Sequence, residues 1–133
     1  MPASEPLQIR DQSDVVRVRH AVRSVATELG FSVVDQTKIV TAASELARNT
    51  LVHGKGGHCV IEALDHDGRK GLKLSFEDQG PGIPDIAQAL KDGYTSGDGM
   101  GLGLGGAKRL MSEFEIVSSP GQGTRVSVTR WKP

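Results

Sequence analysis

Glycine makes up 17 of the 133 residues, almost double the usual share of about 7%, and its placement limits the fold more than any other feature. Gly80 and Gly82 lie in Asp78-Gln-Gly-Pro-Gly-Ile83. Gly93, Gly97, Gly99, Gly101, Gly103, Gly105 and Gly106 crowd a second stretch, and Gly121 and Gly123 precede Thr124. Excess glycine serves either a flexible linker or backbone that must come close to something. Well-patterned segments separate the three groups, so they read as loops of one folded domain spanning residues 1–133. Apolar residues at 37% and charged residues at 24% fit a globular chain, large enough to bury a core without a disulfide or metal staple. A single cysteine, Cys59, excludes an internal disulfide and a multi-cysteine zinc site. Sixteen basic residues balance sixteen acidic ones, which disfavours a nucleic-acid partner of the basic-patch kind. No apolar run nears the ~20 residues of a membrane span, and Met1-Pro-Ala-Ser-Glu-Pro6 has no apolar signal region. A cytoplasmic protein without a membrane partner is expected.

Apolar periodicity supplies the frame. Val15, Val18, Val22, Val25, Ala26 and Leu29 recur at steps of three and four, predicting a helix over 14–29 stopped by Gly30. A second helix runs from Val34 or Asp35 to Val52 and closes at His53-Gly54. Strands are expected over 59–64 and 71–78; Leu72, Leu74 and Phe76 alternate there with Lys73, Ser75 and Glu77. Asp65-His-Asp-Gly68 makes them a hairpin. Pro84 suits the first turn of a short helix to about Lys91, whereas 93–100 have no periodicity. A helix over 104–113 and a hairpin of 114–118 with 125–131, turning at Pro120-Gly-Gln-Gly123, complete the chain. Helices on one side of a mixed, mostly antiparallel sheet make a two-layer α+β sandwich.

On the second helix Glu45 and Asn49 are four apart and share a face beside the apolar stripe of Ile39, Ala42, Ala43 and Leu46. Such a pair is either a solvated helix edge or the wall of a cleft, where an amide oxygen can help hold Mg²⁺ and a carboxylate can take a proton. Asp78 ends a strand before Gln79-Gly-Pro-Gly-Ile83; it is either an acidic turn residue or an acceptor for the amino group of a ligand base. The stretch Gly99-Met-Gly-Leu-Gly-Leu-Gly-Gly106 opens a helix, where N–H groups without a Cβ in the way attract phosphate. Two other glycine motifs fail. Gly101, Gly103 and Gly106 satisfy the dinucleotide spacing, but no strand precedes them and no acid follows at ~20 residues. Lys108 is followed by Arg109, not by the hydroxyl residue a P-loop needs. His53, His58 and His66 show no metal-ligand spacing, and His20 belongs to a basic helix edge, Arg17-Val-Arg-His-Ala-Val-Arg23. Lys55 reads as either a turn lysine or a phosphate contact.

The order Glu45…Asn49, Asp78-x-Gly-x-Gly82, Gly101-Leu-Gly-Leu104 and Gly121-x-Gly-Thr124 resembles the GHKL family of ATP-binding domains, with its N, G1, G2 and G3 boxes, from about Asp35 to Trp131. Within that family Ser44-Glu-Leu-Ala-Arg-Asn49, Glu77-Asp-Gln-Gly-Pro-Gly-Ile-Pro-Asp-Ile86, Lys108-Arg-Leu-Met-Ser-Glu-Phe114 and Arg130-Trp131 are similar to small bacterial serine kinases of stress signalling. The resemblance implies a Bergerat-type fold with ATP and Mg²⁺ as cofactors. Asp78 would accept from the adenine amino group with Thr124 in support, Gly80 and Gly82 would admit the base, and Ile83 would pack on it. Asn49 would bind Mg²⁺. Gly99, Gly101 and Gly103 would offer N–H groups to the phosphates, Leu102 and Leu104 would anchor the lid base, and residues 84–98 would form the lid over the nucleotide. Glu45 would be the general base. Gly105-Gly106 departs from the family pattern, which has a bulkier residue or proline there, and would loosen the helix start. Histidine kinases share the domain but need a phospho-accepting helix pair upstream of the second helix, for which the preceding residues are too few.

The activity implied is an ATP-dependent protein serine/threonine kinase acting on STAS-domain partners, with activation of a PP2C-type phosphatase by binding. The competing reading is a nucleotide-gated anti-sigma module that holds an alternative sigma factor. A gyrase-like ATPase would need a transducer domain.

Overall fold

A computed structural model describes residues 5–83, 86, 90 and 103–133. In chain order the elements are β1 (Leu7–Ile9), α1 (Gln12–Glu28), α2 (Val33–Val52), β2 (Gly57–His66), β3 (Arg69–Asp78), α3 (Gly103–Leu110), β4 (Glu113–Ser118) and β5 (Thr124–Trp131).

Local chemistry sets the helix ends. Asp11 caps α1 by accepting from the Asp14 N–H at 3.1 Å. At its other end Gly30 takes φ +84°, while the Phe31 N–H reaches the Ala26 carbonyl at 3.1 Å and the Gly30 N–H that of Thr27 at 3.0 Å, the paired bonds of a Schellman stop. Ser32 caps α2 by accepting from the Asp35 N–H at 3.1 Å, which starts that helix slightly earlier than the periodicity alone suggests. Helix α3 ends at Leu110 instead of 113, because the Ser112 N–H has already turned to the Thr129 carbonyl at 2.8 Å.

Strands β2 and β3 pair from Gly57↔Asp78 to His66↔Arg69, extending further at both ends than their apolar alternation indicates. Asp67 and Gly68 both have positive φ (53° and 85°), so the connection is a two-residue hairpin turn whose twist matches the strands. Strand β1 was not legible in the sequence; its three residues pair with the start of β2, Leu7 opposite Cys59 and Ile9 opposite Gly57.

The sheet order is β1-β2-β3-β5-β4. Every pairing among the described residues is antiparallel, which corrects the expectation of a mixed sheet while keeping the α+β class. Cys59, Phe76 and Val126 fall in one cross-strand row, and Ile61, Leu74 and Val128 in another. These buried rows share one hydrophobic cluster with Val18 and Val22 of α1, Ile39 and Leu46 of α2, and Leu104, Ala107 and Met111 beside them. The helical layer therefore covers one face of the sheet, and the strand ends carrying Asp78 and Thr124 lie at one end of that covered face. No helix among the described residues is long and apolar enough to cross a membrane.

Candidate nucleotide site

The end of the sheet is built from a row of neighbours. Gly57, Asp78, Thr124 and Ser118 stand side by side on β2, β3, β5 and β4. Asp78 and Thr124 are only 6% and 7% exposed, so their polar atoms need partners. One Asp78 oxygen accepts from the Gly80 N–H at 2.9 Å. Burial pushes the Asp78 carboxyl above its ordinary value, offset in part by backbone hydrogen bonds from Gly80 and Thr124.

Ser118 ties two loops to the start of β5. Its Oγ accepts from the Ile83 N–H at 2.8 Å, donates to the Gly123 carbonyl at 3.1 Å, and lies 2.8 Å from Thr124 Oγ1. A serine hydroxyl has one proton. With that proton on Gly123, the Thr124 hydroxyl donates to Ser118 and keeps its own lone pairs to accept from something else. The Gly121 N–H adds a 2.7 Å bond to the Pro81 carbonyl, so the 119–123 turn and the 79–83 loop are held as one unit.

Glycine makes these approaches possible. A Cβ on Gly82, at φ +81°, would collide with the Ser119 carbonyl, and one on Gly123, at φ +79°, with the Asp78 carbonyl. A Cβ on Gly54 would fall on the Asp78 side chain, and one on Gly80 would sit 2.8 Å from Gly54 Cα. The turn after α2 thus closes against the Asp78 side chain and the Gly80 backbone. Lys55 belongs to that turn and takes φ +60°. A cavity of about 310 Å³ adjoins it, lined by residues 54–58 and 77–80. Asp78 is part of that lining, but Asn49 and Thr124 are not, so the cavity reaches the aspartate from the side of the turn.

Glu45 and Asn49 stack one turn apart near the C-terminal end of α2. Glu45 is 5% exposed, deeper than a helix margin implies, whereas Asn49 is half-buried. The Asn49 carbonyl accepts from the His53 and Gly54 N–H groups, which joins the helix end to the glycine turn. Ile83 packs against the core, as does Leu104, which is 4% exposed. Gly103 opens α3. Gly99, Gly101, Leu102 and most of the 84–98 segment lie outside the described residues; of the helix expected from Pro84, the structure gives the Leu90 N–H bonded to the Ile86 carbonyl at 3.0 Å. Cys59 is buried with its thiol pushed up to about 12, which removes it as a nucleophile.

Sequence reasoning did not single out Ser118 or Gly54. The only local signal for Ser118 was its place before Ser119-Pro-Gly, and Gly54 read simply as a helix stop. The donor set suits an adenine nucleotide: a buried carboxylate for an exocyclic amino group, and a threonine with free acceptor capacity beside it.

Over residues 34–133 the chain matches the histidine kinase-, DNA gyrase B- and HSP90-like ATPase family, and it belongs to that family. Among named relatives, it is 47% identical over 125 residues to the serine/threonine-protein kinase RsbT of Bacillus subtilis (strain 168), covering 94% of each chain. It is 33% identical to the anti-sigma F factor of Oceanobacillus iheyensis, over 84% of this chain and 80% of that one. A crystal structure of the RsbU and RsbW domains of a Mycobacterium tuberculosis protein superposes with a TM-score of 0.65 at 25% identity, covering 98% of this chain and 34% of that one.

Proposed function

We propose that this protein is an ATP- and Mg²⁺-dependent serine/threonine kinase of a bacterial partner-switching stress pathway, and that its substrates are STAS-domain proteins. The observation that carries the reading is Glu45, a buried carboxylate one helical turn from Asn49. A module that only binds and releases nucleotide has no need of a proton acceptor beside its metal-binding amide; phosphoryl transfer to a hydroxyl does. The 47% identity to a named serine/threonine-protein kinase supports it.

Asp78 and Thr124 would hold the base, Gly80, Gly82 and Ile83 would shape its slot, and Asn49 would offer an oxygen to Mg²⁺. Gly99, Gly101 and Gly103 would present N–H groups to the phosphates, with Leu102 and Leu104 anchoring that loop. Bound ATP with its metal supplies the transferable phosphoryl group and neutralises its charge. Glu45 takes the proton of the acceptor serine or threonine as its oxygen becomes the nucleophile. Burial around Glu45 excludes competing water. Docking on a PP2C-type phosphatase, and so activating it, belongs to the same proposal.

The test is transfer of label from ATP to purified STAS proteins with Mg²⁺ present. Glu45→Ala is expected to lower transfer by at least about 10²-fold, the scale of lost general-base catalysis, with ATP affinity little changed. Bound nucleotide with no phosphorylated serine or threonine refutes the kinase reading. The anti-sigma relatives favour a second reading, a nucleotide-gated module holding a sigma factor. Recovery of a sigma factor instead of STAS proteins or the phosphatase in a pull-down would select it.

A further inference from the structure

Arg130 stands where a cation is costly. It follows Val126 and Val128 on the helix-facing side of β5, and its side chain is 19% exposed. Its guanidinium is divided between two helices. Nη2 donates to Asp35 Oδ1 at 2.8 Å, and Nη1 donates to the Leu110 carbonyl at 2.7 Å. Asp35 is in the first turn of α2, where a carboxylate favours the helix dipole. Leu110 is the last residue of α3, and its carbonyl has no acceptor role inside the helix. A planar fork of donors can serve both at once; a lysine, as a point charge, cannot.

Helix α3 needs such a pin. It has eight residues, of which Gly103, Gly105 and Gly106 are glycine; a helix this short is marginal alone, and interior glycine weakens it further. Leu104 and Ala107 bind one face to the core, while Arg130 holds its C-terminal end along the axis. The two pinned helices carry separate parts of the site. Glu45 and Asn49 lie roughly 15 and 21 Å beyond Asp35 on α2, and the start of α3 lies about 10 Å from Leu110.

We propose that Arg130 is a positioning residue for the phosphate end of the nucleotide site. By tying the start of α2 to the end of α3 it fixes the axial register of both, and hence the spacing between Asn49 and the N–H groups where α3 begins. The inference rests on the nucleotide reading above. It concerns the phosphates and not the base, because the Asp78–Thr124–Ser118 row is held by its own bonds, six residues or about 20 Å along β5 from Arg130.

Calorimetric titration of the intact chain with ATP–Mg²⁺ and, separately, with adenosine tests it in wild type, Arg130→Lys and Asp35→Asn. Arg130→Lys is expected to weaken ATP roughly tenfold, the scale of one lost hydrogen bond to a charged group, and to leave adenosine within about twofold. Asp35→Asn spares the Leu110 bond and loses less, again selectively for ATP. Amides of 104–110 exchange faster in Arg130→Lys. Equal losses for adenosine and ATP reveal a merely structural role and overturn the proposal, and so does unchanged ATP affinity. Should Arg130→Lys not fold, the absence of an ATP-selective loss in Asp35→Asn overturns it. Folded wild-type protein that binds neither ligand refutes the nucleotide reading itself.

Discussion

Gly54→Ala is the most direct probe of how Asp78 is seated. The φ of Gly54 lies outside the left-handed region, so alanine costs nothing in backbone conformation there. Its Cβ, however, would land on the Cβ, Cγ and Oδ2 atoms of Asp78. The turn cannot retreat easily, since Gly54 also touches the Gly80 backbone. The carboxylate must move. Overpacking of this kind costs about 1–3 kcal/mol, and for a domain of this size each kcal/mol lowers Tm by roughly 3–6 °C. On the proposed role of Asp78, a displaced carboxylate would also lose its bond to the adenine amino group, about 1.5–3 kcal/mol for a charged acceptor, or roughly 10- to 150-fold in Kd. Thermal melts and calorimetry with ATP, run beside wild type, read both numbers. A lowered Tm with undiminished ATP affinity would show that Asp78 takes no part in reading the base. Wild-type behaviour in both assays would refute the contact itself.

Two other substitutions separate the forces at this sheet end. Burial raises the Asp78 pKa above 3.8, so the folded chain binds that proton more tightly than the unfolded one, and the ionised form costs stability increasingly as pH rises through this window. Asp78→Asn should therefore melt no lower than wild type at neutral pH, with wild type closing the gap as pH falls toward the ordinary carboxylate range, while ATP binding is lost; a clearly lower neutral Tm contradicts this. Gly121 and Gly123 have nearly equal φ, +77° and +79°, but a Cβ meets nothing within 4 Å at Gly121 and the Asp78 carbonyl at Gly123. Urea unfolding of Gly121→Ala should show only the left-handed penalty of about 1–2 kcal/mol, and Gly123→Ala a clearly larger loss; equal losses would mean the 119–123 turn is not clamped on β3.

The helices and hairpins were legible because their signals are local. Valines at three- and four-residue steps mark α1, Gly30 ends it, and alternation at Leu72, Leu74 and Phe76 marks β3. Strand β1 escaped because Leu7-Gln-Ile9 is too short to show a period; only its pairing with β2 makes it a strand. Asp78, Asn49 and Glu45 were legible as candidates from their places at a strand end and on a helix face. The depth of Glu45 was not, since burial depends on what packs above the helix. Ser118 and Gly54 gain their importance from partners far along the chain, Ser118 from Ile83 and Thr124, Gly54 from Asp78 and Gly80. No local pattern encodes such meetings.

The sheet order has a consequence for how the molecule comes into being. Strand β5 is the last of the five described strands to be synthesised, yet it lies between β3 and β4. A nascent chain can assemble α1, α2 and the β1-β2-β3 part of the sheet as they emerge from the ribosome, but β4 has no strand to lie against until β5 threads into the gap. Asp78 meanwhile keeps one flank open to water. A chain not yet extended through β5 therefore lacks the Asp78–Thr124 pair, and a proteolytic nick that frees residues 124–131 should disband β4 and that end of the sheet in a single event.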